Sequence, residues 1–111
     1  MVDLTFLKKF TKDDAQKMKR YISLYLDVAP KTFEAMKRNL DEADWEQLRI
    51  NAHSIKPQAD FMGIAALKEE LIKIEDAVKS KDYGVIEQLL NTSLKIATAS
   101  EGILKEMLAQ L

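Results

Sequence analysis

Cysteine is absent from this chain of 111 residues, which excludes disulfide frameworks, thiol nucleophiles and structural zinc sites of the cysteine type. Histidine occurs once, with Ile50 three residues before it, so the paired Glu-x-x-His segments of a ferritin-like di-metal centre are missing too. Neither sign of charge dominates: 17 basic residues face 18 acidic ones, a formal charge of −1. No general basic field exists to hold a nucleic-acid backbone or an anionic membrane. No apolar run approaches the roughly 18 residues of a membrane span. The opening Met1–Phe10 has no long apolar stretch after a basic start, so no signal peptide is expected and the expected setting is the cytoplasm. With three glycines and two prolines there is neither a glycine-rich phosphate loop nor a G-x-S-x-G elbow. The common routes to ATP binding and serine hydrolysis are closed.

What the chain does have is apolar residues at steps of three and four, the mark of helices with one buried face. One stripe runs through Met18, Ile22, Tyr25, Ala29, Phe33, Met36 and Leu40, and a second through Trp45, Leu48, Ala52, Ile55, Ala59 and Met62. Ile64, Leu67, Leu71, Ile74 and Val78 make a third, and a fourth extends from Ile86 to Leu111. The reading is all-α: an antiparallel up-down four-helix bundle in one domain over residues 1–111. Leu4, Phe6, Leu7 and Phe10 are expected to form a short N-terminal capping helix. Thr11 with Asp14 reads as a capping box for the first long helix, Asp44 as the cap of the second, and Asp82 as the cap of the last. Gly63 is expected to turn the chain between the second and third. Pro30 and Pro57 fall inside stripes, and each predicts a kink.

A bundle alone fixes no function, so chemistry has to come from particular side chains. At about 100° per residue, His53 lies roughly 130° from the centre of the second stripe, so it is predicted to face solvent. Arg49, Lys56 and Asp60 share its side of the helix. Neutral imidazole is a nucleophile near pH 7, and Lys56 stands one turn along. Spacing alone favours a surface histidine with no role.

The segment Ala52-His53-Ser54-Ile55-Lys56, with Gly63 and Leu67 following, resembles a histidine phosphotransfer (HPt) domain. That resemblance implies a phosphorelay carrier, without kinase or ATP-binding chemistry, whose His53 exchanges a phosphoryl group with aspartates of response-regulator receiver domains. It implies a hybrid sensor histidine kinase and receivers as partners, with no cofactor or metal held by the chain itself. Lys56 is expected to neutralise phosphate charge. Glu75, twenty-two residues after His53, matches a position from which the family orients the imidazole, and Lys79 a position for a second base. Arg49, Pro57, Asp60 and Phe61 are expected to border a docking surface. Phe61 either projects there or folds into the core. Pro57 and Gln58 depart from the family pattern, in which Gly and then Ser or Thr often follow the lysine. A helical adaptor whose His53 is never phosphorylated, or a module that only binds receivers, is the alternative. A monomer is expected.

Overall fold

The computed structural model describes residues 1–111, and it is entirely helical apart from turns. Helix α1 covers Thr5–Phe10, α2 Ala15–Asp41, α3 Trp45–Phe61, α4 Ala65–Lys79 and α5 Ile86–Ala109, with a 3₁₀ turn at Tyr83–Val85 before α5. The stripes bury as their spacing predicts. Twenty-three apolar side chains form one contiguous core drawn from all five helices. Each of the four long helices packs on two others, in the cycle α2–α3–α4–α5 and back to α2.

The helices stop for reasons that their composition concealed. At the end of α2, the Asp44 N–H donates to the Asn39 carbonyl at 2.8 Å and the Ala43 N–H to Leu40 at 3.1 Å, with Ala43 left-handed at φ 53°. Lys81 (φ 59°) closes α4 the same way, and Gly63 (φ 68°) closes α3. This paired closure satisfies the last carbonyls of a helix and usually uses glycine at the left-handed position. Here only one of these three turns has it, which is how so few glycines serve so many helix ends.

Two capping expectations are corrected. Thr11 does not start α2; it is the C-cap of α1, buried, with its hydroxyl donating back to the Leu7 carbonyl at 2.8 Å. Asp14 alone caps α2, accepting from the Gln16 and Lys17 N–H groups at 3.0 and 3.2 Å. Asp82 precedes the 3₁₀ turn and accepts no capping bond there, because α5 begins only at Ile86. Asp44 does cap α3, accepting from the Gln47 N–H.

Neither proline breaks its helix. α2 runs through Pro30, whose exposed position costs one rung without disturbing the core. α3 continues past Pro57 to Phe61, held by burial of Ile55, Ala59 and Met62 on either side, so Lys56 keeps helical geometry despite preceding a proline.

The two ends are tied differently. At one end the Asp3 N–H donates to the Gly63 carbonyl at 3.0 Å, which sets α1 across the turn between α3 and α4. Leu4 and Leu7 enter the core there, and Val2 and Leu4 line a groove with Met18, Met107 and Leu111. Phe6 and Phe10 do not enter it; each remains 55% exposed. At the other end Trp45 stacks on Tyr83, with ring centroids 4.7 Å apart and planes 6° from parallel.

Candidate functional site

His53 sits on the outer face of α3 because Ala52 and Ile55 occupy the inner one, and its side chain is 65% exposed. Its ring has a protein partner. Nδ1 lies 3.1 Å from Oε2 of Glu75, which reaches across from α4. An ionised carboxylate only accepts, so Nδ1 is the donor in this contact, and in the neutral ring that leaves Nε2 without a proton. The geometry fits a nucleophile held in one tautomer.

Glu75 is the less expected half of the pair. Its side chain is only 6% exposed, and Leu71, Ile74 and Val78 surround it along α4. Burial pushes its carboxyl up, yet the Lys56 ammonium and the His53 donor outweigh that and hold it below the ordinary 4.5. Lys56 Nζ is 2.8 Å from Oε1, an ion pair set at an angle that makes no aligned hydrogen bond. The lysine itself is 25% exposed. Lys56 therefore rests on a buried carboxylate in this structure.

The other expected site residues divide. Arg49, one turn before His53, forks onto Glu46, with Nε 3.2 Å from Oε2 and a second close contact to Oε1. The Glu46 contact raises its guanidinium above the usual range, and the Glu75 charge adds to that. Lys79 makes no ion pair with Glu75; with Arg49, Trp45, Lys81 and Tyr83 it lines a groove at the Trp45 end. Asp60 is paired with Lys68 at 3.2 Å. Phe61 lies between the two places expected of it, packed against the edge of the core and lining a surface groove. It is half-buried beneath α1 and α2, in edge-on contact with Phe6, Phe10 and Tyr21 at centroid distances of 5.3, 5.1 and 5.3 Å.

That cluster continues into an apolar groove of about 360 Å³ lined by Phe10, Tyr21, Leu24, Pro57, Phe61 and Met62. Pro57 is one helical turn beyond His53, so groove and histidine share a face. The α1 and α2 members were absent from the sequence reading. Phe6 and Phe10 read as members of the capping helix and Leu24 belongs to no stripe; the packing of α1 leaves the two rings exposed. A second residue that was missed is Asn51, whose amide donates to buried Asn39 at 2.7 Å. This bond couples α3 to α2 two residues before the histidine.

A profile of the Hpt domain matches residues 20–111. The chain belongs to the Hpt domain family. The all-helical fold agrees with that assignment, and histidine phosphotransfer in phosphorelays is the activity that an Hpt domain implies. Hpt domains are phosphocarriers rather than catalysts, and two-component relay proteins are their partners. No curated protein and no solved structure matches the chain. No helix of this Hpt protein is long and apolar enough to cross a membrane, and no group of three histidine or acidic side chains converges on a metal position.

Proposed function

We propose that this chain is a single phosphotransfer unit in which His53 accepts a phosphoryl group from a receiver aspartate and returns it to another. The observation that carries the reading is an exposed imidazole whose Nδ1 proton is held by a buried carboxylate on the next helix. In the forward step the Nε2 lone pair forms a bond to phosphorus while the bond from phosphorus to the aspartate oxygen breaks, its electron pair leaving on the carboxylate. The Nδ1 proton stays on the ring, and the positive charge it then shares faces Glu75. In the reverse step the same proton makes the imidazole a good leaving group. Transfer of this kind needs in-line positioning and charge compensation more than covalent work by the protein. The receiver supplies the aspartate and its divalent metal; the chain itself supplies no kinase or ATP-binding machinery.

The order of the helices supports an antiparallel up-down bundle, with the start of α2 and the end of α5 meeting at the α1 end. His53 then lies on the flank, where a globular partner reaches it. Such a partner covers Pro57 and the groove beyond it, because they lie within one turn of the reacting nitrogen. Arg49 and Lys79 offer positive charge on the opposite side, and Asp60 borders the groove next to Phe61. We read the protein as a cytoplasmic monomer that meets receivers and a hybrid sensor kinase one at a time.

Incubation with a phosphorylated receiver domain, followed by site mapping, tests this. Label is expected on His53, labile in acid and stable in base, and lost in His53→Gln. A receiver that binds but leaves no label would favour the adaptor reading. Label that survives His53→Gln would remove the assignment altogether.

A further inference from the structure

Lys56 is three residues after His53 and looks like a cation for the incoming phosphate, but its ammonium is already engaged. We propose that Lys56 is a positioning residue that acts on His53 through Glu75, fixing the charge and orientation of the carboxylate that holds the Nδ1 proton. The inference rests on the phosphoacceptor reading of His53 and assigns Lys56 a different place in it.

The argument starts from burial. A carboxylate with a side chain only 6% exposed loses most of its hydration. A neutral imidazole donor does not compensate a full negative charge. The second oxygen needs a cation, and Lys56 supplies one at 2.8 Å from Oε1, on the side away from the histidine contact at Oε2. Few other groups can substitute. Of the cations on α3, Arg49 is forked onto Glu46 and reaches Glu75 only through its longer-range field. On α4 itself Lys79 makes no ion pair with it, and no charged group of α5 contacts it.

Two consequences follow from charge balance. With Lys56 in place, Glu75 stays ionised while the ring stays neutral, and a neutral ring is the nucleophile. With Lys56 removed, the pair has one uncompensated negative charge in a buried position, and it relieves this by binding a proton at higher pH. The proton belongs to the His53–Glu75 pair as a unit. Whether the ring or the carboxyl holds it, less imidazole with an unprotonated Nε2 is available for attack.

His53 is the only histidine in the chain, so its ring signals in an isotope-labelled sample are unambiguous. The full-length chain is compared with Lys56→Met, Glu75→Gln and the double variant, by ring titration in NMR and by transfer rate from a phosphorylated receiver domain. Lys56→Met keeps the aliphatic stem, and Lys56→Arg serves as the charge-preserving control. The expected result is that Lys56→Met moves the ring titration up by about one pH unit and slows transfer up to roughly tenfold below the new midpoint. Lys56→Arg restores most of both. In the Glu75→Gln background, Lys56→Met changes little. A slowing of equal size in both backgrounds, or a ring titration that Lys56→Met leaves in place, overturns the proposal and returns Lys56 to the phosphate. Failure of the underlying phosphoacceptor reading would look different: no label in any variant, with the coupled titration still present.

Discussion

At the scale of single residues, the chemistry concentrates in one buried carboxylate with two cationic or donor partners. Glu75 is held below the ordinary 4.5, with burial opposing and Lys56 and His53 prevailing. A group whose folded value is depressed stabilises the fold above its unfolded value, and that contribution disappears as pH falls through the folded one. The parent protein is therefore expected to lose stability relative to Glu75→Gln as pH drops below about 4.5, in the range where Glu75 takes up its proton. Thermal unfolding of both proteins across that range checks this; parallel curves would mean that Glu75 has no net charge coupling in the fold. His53 was legible as an exposed residue because helical period alone sets which face it occupies. Its contact with Glu75, at twenty-two residues' separation, came from family resemblance and not from spacing. That Lys56 turns toward the same carboxylate was not legible, since it depends on how closely α4 approaches α3.

Helices and their faces make the proposed docking side. α3 offers His53 and Pro57 one turn apart, α1 offers Phe6 and Phe10, and α2 offers Tyr21 and Leu24. Exposed rings gathered in one place on a small domain, rather than scattered singly, are what supports the proposed contact surface. Pro57→Gly should preserve receiver affinity to within about threefold, whereas Pro57→Arg should weaken it by roughly tenfold through bulk and a desolvated charge. Titration calorimetry with an isolated receiver domain separates the two. Equal affinities would place the contact on another face. The rate at which a small phosphodonor such as phosphoramidate labels His53 should be unchanged in both, since neither substitution touches the imidazole. The sequence located the capping helix and its four apolar residues but did not say which of them enter the core. One face of the segment is buried and Leu4 and Leu7, three apart, take it; Phe6 and Phe10, four apart on the adjoining face, stay exposed and stack on each other.

For the molecule as a whole, the closing of its ends matters as much as the core. α2 alone has 27 residues, about 40 Å at 1.5 Å each, close to the 43 Å length of the molecule. The α1 end is fastened where Asp3 meets Gly63. A Cβ on Gly63 would lie 1.7 Å from the Asp3 carbonyl oxygen, and the residue is already left-handed at φ 68°. Gly63→Ala is expected to destabilise the protein by roughly 2–3 kcal/mol and to release the first residues from the turn. Chemical denaturation gives the first quantity, and amide exchange at Asp3 and Thr5 the second. A change below about 0.5 kcal/mol would show that the N-terminal segment contributes little to closure.

The sequence by itself determined the helical class, the four long core stripes, the outward face of His53 and the cap at Asp44. These follow from period and from local side-chain chemistry, which need no knowledge of distant residues. Tertiary structure decided the rest. Ala43 and Lys81 adopt left-handed turns that their residue types disfavour, because the helix ends they close must redirect the chain over a packed core. Phe61 became part of a ring cluster because α1 lies across it, and Asn51 found Asn39 because α2 and α3 pack in one register. Lys56 and His53 meet on Glu75 for the same reason. Long-range packing places a buried negative charge between them, and that charge draws both of its neighbours toward itself.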